Sequence, residues 1–348
     1  MNIGLREATL NFDLKTNIGQ EGQNSEVFIA HDVQFDAEIV IKRIPKKDFT
    51  SSQDYYKEAK CLYNSKHQNI VSVNYSCEDD EYIYIAMPFY GNGSLESILK
   101  YRYLTIREII KYSIDFISGL NHIHTKGLIH FDIKPTNILI SDSDEALVTD
   151  FGLAKFTNEH RIANQDEFYT LHKPPESLIS NLFTIQSDIY QVGLTIYRMC
   201  NIPDILLKQL PENLTHETLN SLISSGQFPN RNLFFPHIPK KLRDVVRKAM
   251  SINPVDRYNN LIEMMNDLSK IDEFLDWNFC ITDEGYNWKL DSDNKIQEVE
   301  LLKVGETFNI LSRKRMKNSG RVTKESNSVE GILESKIDAE LKKILQSY

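Results

Sequence analysis

Within one stretch, His130-Phe131-Asp132-Ile133-Lys134-Pro135-Thr136-Asn137, the sequence offers a carboxylate, an ammonium and a carboxamide, and Asp150-Phe151-Gly152 adds a second carboxylate. Phosphoryl transfer needs residues of these types. It takes a carboxylate to orient the attacking hydroxyl, a cation to offset charge on the moving group, and oxygen ligands for Mg²⁺. Asp132, Lys134, Asn137 and Asp150 fit those duties in that order.

Such groups work only on a frame that holds their geometry. Over residues 12–89 the chain runs in short β-branched or aromatic stretches, such as 38–44 and 82–87, interrupted by one helical pattern at 53–65. This predicts a small, mostly β lobe. After Gly91-Asn92-Gly93 come long amphipathic segments at 106–125, 188–200 and 240–250, with apolar residues at three- and four-residue steps. A larger helical lobe is expected there. Beyond about residue 271, Trp277, Phe279, Tyr286 and Trp288 fall in alternating runs split by Asp283-Glu284-Gly285 and Asp291-Ser292-Asp293, the pattern of a small β-rich unit. The stretch 332–345 has helical spacing, and the polar stretch 317–328 reads as a mobile loop.

Length and composition agree with more than one packed unit. The chain has 348 residues, 41% of them hydrophobic and 26% charged, which argues against wholesale disorder. A net charge of −9 argues against a surface that coats nucleic acid or anionic membrane. Cys61, Cys77, Cys200 and Cys280 are widely spaced with no C-x-x-C pair, so a reducing, cytosolic compartment is expected. The opening residues Met1 to Glu7 lack a basic stretch followed by an apolar core, and no long apolar run suggests a membrane span.

With H-x-D-x-K-x-x-N and D-F-G in register, the sequence resembles the eukaryotic-type (Hanks-type) serine/threonine protein kinase family over about residues 12–268. The resemblance implies an α+β, bilobal kinase fold at 1–272, divided near residue 90; the alternating pattern beyond it makes 273–348 a β-rich accessory domain that ends in a helix. It implies ATP and Mg²⁺ as ligands and a protein hydroxyl as acceptor. Asp132 and Lys134 would be catalytic, with Asn137 and Asp150 as metal ligands. Ile18, Gly19, Gly22, Ser25 and Val27 stand where the family has its glycine-rich hairpin, with one extra residue between the first two glycines and Ser25 in place of the third. Glycines there let backbone N–H groups approach phosphate oxygens. Val40 and Leu139 would enclose adenine, Met87 would stand behind it, and Pro88 and Tyr90 would meet its edge through backbone groups. Lys42 would contact the phosphates, held by Glu58.

Lys173-Pro174-Pro175-Glu176, Asp188 and Arg257 match the family's structural anchors, which small-molecule kinases generally lack. Phe131 replaces the arginine that usually reads an activation-segment phosphate, so phosphorylation at Thr157, Tyr169 or Thr170 is not expected to be the main switch. Lys134 resembles the serine/threonine branch, and the threonine expected near the P+1 loop falls at Thr170 only after a one-residue slip. The tail matches no family. Its Arg313-Lys314-Arg315-Met316-Lys317 run, with Arg321 and Lys324, suits a solvated hairpin better than a nucleic-acid surface, and docking of a protein substrate is an equal expectation. The competing readings are a pseudokinase scaffold, suggested by Phe131 and the altered hairpin, and a kinase acting on a small molecule or nucleic acid. Oligomeric state has no signature in the sequence.

Overall fold

The computed structural model describes residues 10–22, 25–49, 51 and 55–347. The opening residues, Gln23-Asn24 in the hairpin, and Gln53 and Asp54 at the start of the expected helix lie outside them. Five antiparallel strands in the order β1-β2-β3-β5-β4 build the first lobe: β1 (Phe12–Gly22), β2 (Ser25–Asp32), β3 (Ala37–Pro45), β4 (Tyr75–Glu78) and β5 (Tyr82–Pro88). Helix α1 (Lys57–Asn64) is shorter than the sequence pattern and buries Ala59, Cys61 and Leu62 in the main core.

In the second lobe, α2 (Leu95–Tyr101) leads into α3 (Ile106–Thr125), whose start is closed by a Thr105/Glu108 capping box. The buried residues Ile106, Ile109, Tyr112, Phe116, Leu120 and Ile123 recur at three- and four-residue steps along α3, so one face lies in the core. Short strands follow: β6 (Leu128–Ile129), β7 (Ile138–Ile140), β8 (Ala146–Val148), β9 (Lys155–Phe156), β10 (Ala163–Asn164) and β11 (Leu182–Phe183). Four helices complete this lobe: α4 (Gln186–Met199), α5 (His216–Ser224), α6 (Lys240–Ala249) and α7 (Leu261–Leu268). Helix α4 is buried nearly all round, and at Gly193 an added Cβ would lie 2.7 Å from the Ala249 Cβ, so α6 can sit this close only against glycine.

The remaining chain forms one antiparallel sheet in the order β12-β13-β14-β15-β16, with β17 also on β15: β12 (Asn278–Thr282), β13 (Gly285–Asp291), β14 (Lys295–Val304), β15 (Thr307–Met316), β16 (Val322–Lys324) and β17 (Val329–Ile332). Helix α8 (Ile337–Gln346) closes the chain and buries Ile337, Leu341, Ile344 and Leu345. The expected mobile loop at 317–328 instead contains β16, whose Lys324, Thr323 and Val322 register with Arg313, Lys314 and Arg315. The basic run is less bare in space than in sequence, because cross-strand neighbours supply acids. Arg313 lies 3.3 Å from Glu300, Lys317 2.6 Å from Asp291 and Lys324 3.2 Å from Glu330.

This sheet does not stand apart. Phe279 lies 4.8 Å from Tyr103, 4.6 Å from Phe235 and 4.5 Å from His237 between ring centroids, and the wholly buried Trp288 joins the same cluster. Arg107 pairs with Asp276 at 2.5 Å, and Arg243 with Asp338 at 2.9 Å. None of the described helices is long and apolar enough to cross a membrane.

Candidate active site

The loop between β6 and β7 carries Asp132, and α4 holds that loop by its backbone. Asp188, fully buried, accepts from the His130 N–H at 2.9 Å and the Phe131 N–H at 2.8 Å, with His124 Nε2 2.7 Å from the same carboxylate. One turn on, Gln191 accepts from the Ile133 N–H at 3.0 Å and donates to the Phe131 carbonyl at 2.8 Å. These bonds stabilise an unfavourable backbone, since Phe131 has φ 67°. Its ring is fully buried and meets Phe168 and Phe183 edge to face, at 5.8 and 5.9 Å.

That loop brings three of the chemical groups together. Asn137 Nδ2 donates to both the carbonyl and Oδ2 of Asp132, each at 2.8 Å, and Lys134 Nζ lies 3.0 Å from the same Oδ2. The other oxygen, Asp132 Oδ1, is buried with no hydrogen-bond partner among the described residues. A carboxylate held on one oxygen and free on the other is a fixed acceptor for one incoming proton.

Across the cleft, Lys42 on β3 is bonded at 2.8 and 3.0 Å to both oxygens of Glu58 on α1, and at 2.8 Å to Asp150. Partial burial disfavours ionisation of Asp150, but the Lys42 ammonium outweighs it and holds the carboxyl at about 2. Burial pushes Glu58 upward, with Lys42 opposing and the Asp150 charge reinforcing the rise. The Lys42 ammonium is itself raised: burial works against its charge, and the two carboxylates more than compensate. Asp150 has φ 60°, and Phe151 beside it is buried against the His130 ring at 4.8 Å.

The donor set fits Mg²⁺. Asp150 and the Asn137 carboxamide offer oxygen only, and no group of three or more His, Cys, Asp or Glu suited to a metal occurs among the described residues. An ion that takes one or two carboxylates and draws its other ligands from phosphates and water needs no more.

The residues expected to line a nucleotide pocket fall on neighbouring strands and turns. Gly19 registers with Val27 and Gly22 with Ser25 across the β1–β2 hairpin, and Val27 registers with Lys42 across β2–β3. Val40 pairs with Met87 and Ile39 with Pro88 across β3–β5, while Leu139 bridges Ser94. Ile18 is half exposed on β1, and the Tyr90 N–H has no backbone acceptor among the described residues. Lower in the second lobe, Arg257 Nη1 and Nη2 reach both oxygens of Glu176 at 2.8 and 2.6 Å.

Sequence reasoning missed Gln191 and His124, whose identities carry no spacing signal, and the Phe168–Phe183 pair that receives Phe131. Thr170, the threonine expected near the P+1 loop, is exposed. Its neighbour Tyr169 has its ring centroid 4.5 Å from Lys134 Nζ.

The protein kinase domain family matches residues 12–268. Among curated relatives, the chain is 25% identical over 330 residues to serine/threonine-protein kinase PknD of Protochlamydia amoebophila, covering 84% of this chain and 33% of that protein. It is 27% identical to PknD of Chlamydia trachomatis serovar D, over 73% of this chain and 30% of that one. It is 28% identical to serine/threonine-protein kinase PrkC of Bacillus subtilis, over 71% of this chain and 38% of that one. The chain thus spans about a third of the length of these relatives.

Proposed function

The chain belongs to the protein kinase family, and from that premise we propose that it transfers the γ-phosphate of Mg-ATP to a serine or threonine hydroxyl of a protein. The observation that carries this is Asp132: one oxygen pinned by Asn137 and Lys134, the other buried and open. An acceptor hydroxyl would give its proton to Asp132 Oδ1 as its oxygen bonds to phosphorus and the bond to the β-phosphate oxygen breaks. Lys134 offsets charge on the transferring group, and Lys42, steadied by Glu58, orients the α- and β-phosphates. Bound at Asp150 and Asn137, Mg²⁺ would neutralise phosphate charge. Ile18, Gly19, Gly22, Ser25, Val27, Val40, Met87, Pro88, Tyr90 and Leu139 are our assignment of the ATP pocket.

The names of the relatives and Lys134 support a serine/threonine acceptor over other classes. Nothing observed favours the scaffold alternative, since the Lys42–Glu58 pair is formed and Phe131 is satisfied by apolar neighbours. We further propose that this aromatic cluster orders the activation segment without a phosphate. Four free cysteines, two of them buried, support a reducing, cytoplasmic setting.

We retain a boundary near residue 272, with 273–348 as an accessory unit. Its Asp276 meets Arg107 near the start of α3, and at about 1.5 Å per residue that point is about 25 Å from His124 near the catalytic loop. A substrate-recruiting role would therefore act at a distance, by raising local acceptor concentration.

The test is Asp132→Asn. ATP binding measured by calorimetry should stay within about twofold, while transfer to a generic acceptor protein should fall at least a hundredfold, the scale of lost general base catalysis. Equal transfer by the variant would remove Asp132 from the chemistry.

A further inference from the structure

Lys134 has two neighbours of opposite kinds. Its ammonium lies 3.0 Å from Asp132 Oδ2 on one side and 4.5 Å from the Tyr169 ring centroid on another. The lysine side chain is only 13% exposed while the ring is 47% exposed, so the attraction between its charge and the ring face is only partly screened by solvent. Tyr169 is itself set on the same frame. Its carbonyl accepts from the His172 N–H at 2.9 Å and its ring lies 5.9 Å from the His172 ring. His172 in turn has Nδ1 3.2 Å from the Ile133 carbonyl, next to Lys134 in the chain, and Nε2 3.3 Å from Arg198.

We propose that Tyr169 is a positioning residue, whose π face holds the Lys134 ammonium beside Asp132 and toward the transferring phosphoryl group. This rests on the kinase reading given above. The choice of an aromatic ring has a chemical consequence. An ammonium has three N–H donors, and a hydroxyl or carboxylate neighbour would occupy one. A ring face attracts the charge without a directed acceptor. With Asp132 taking one donor, two remain for phosphoryl oxygens. A carboxylate at this place would also add negative charge where the transferring group carries its own, which a neutral ring avoids.

The test compares purified full-length chains with Phe, mono-, di- and trifluorophenylalanine, or Leu at position 169, using a generic acceptor protein and saturating Mg-ATP. Tyr169→Phe keeps the ring face, so its kcat should stay within about twofold of wild type. Successive fluorines weaken the ring's negative face at nearly constant shape, so kcat should fall stepwise, to about fivefold below wild type in the trifluoro chain and in Tyr169→Leu. That fivefold corresponds to about 1 kcal/mol at 1.36 kcal/mol per decade. KM for ATP and for the acceptor should stay within twofold. A flat fluorine series, a Phe chain as slow as the Leu chain, or an effect confined to the acceptor KM would overturn the proposal. Asp132→Asn runs alongside: if it is as active as wild type, the kinase reading fails first, whereas an inactive Asp132→Asn with a flat series removes Tyr169 alone.

Discussion

Replacing Phe168 by alanine should loosen the activation segment without unfolding the lobe beneath it. Phe168 meets Phe131 at 5.8 Å and 81°, and Phe183 at 5.1 Å and 73°, both edge to face. Each such contact contributes about 0.5–1.5 kcal/mol beyond its buried area, so losing two weakens segment closure by about 2 kcal/mol. That is roughly a thirtyfold shift in the opening equilibrium at about 1.4 kcal/mol per decade. Native-state hydrogen exchange reads this shift directly. The Gln165 N–H, bonded to the Asn181 carbonyl at 2.9 Å, and the Ala163–Phe183 bridge should exchange roughly thirtyfold faster. Amides of α3 and α4 should be unaffected, because Phe131 and Phe183 still cover each other at 5.9 Å. Phosphatase treatment of the wild type should leave both exchange and activity unchanged. Unaltered exchange at 163–165 in the variant, or an equal rise across α3 and α4, would refute the view that this ring fastens the segment.

Arg257→Met should lower stability by roughly 3–5 kcal/mol in urea unfolding, because Glu176 would keep its burial and lose its bidentate partner, while Arg257→Met with Glu176→Leu should recover much of that loss. Acid should weaken the seam between the second lobe and the terminal sheet: burial, with Arg243 nearby, depresses His237 to about 3. Its stabilising share is complete above the unfolded value of about 6.5 and is lost as pH falls towards 3, because only the unfolded chain takes up the proton, at about 1.4 kcal/mol per pH unit. His237→Phe should flatten that slope in stability measured between pH 7 and pH 4. Removing residues 273–348 should uncover Tyr103, Phe235 and His237 and lower Tm by more than about 5 °C or cause aggregation; a monodisperse truncated chain with unchanged Tm would show that the seam contributes little.

The groups proposed for catalysis could be picked out because the chemistry restricts residue type and spacing at once: Asp132, Lys134 and Asn137 lie in one loop, and Asp150 follows in register. Among the helices around them, α3 matches its sequence pattern end to end and α4 and α6 come within two residues of theirs, whereas α2, α5, α7 and the two- and three-residue strands β6 to β11 are too short to stand out by periodicity. What stayed hidden depends on distant chain segments meeting. Gln191 looks like any polar residue on a helix until its amide is seen spanning the backbone on both sides of Asp132. The basic residues from Arg313 to Lys324 read as bare because their acids, Glu300, Asp291 and Glu330, come from β14, β13 and β17. Phe279 reads as a core residue of its own sheet, and nothing in its spacing says that Tyr103 and Phe235 are its neighbours. The strand at 322–324 is short and wholly exposed, so it carries no apolar alternation to mark it.

The most direct test of the central claim is the position of the label after transfer. Wild-type chain and Asp132→Asn are each incubated with Mg²⁺, γ-labelled ATP and a whole-cell extract, and the labelled residues are mapped. The account predicts label on serine and threonine of protein acceptors with wild type and its loss with Asp132→Asn. Identical labelling in the two samples, or label found on small molecules or nucleic acid alone, would contradict it.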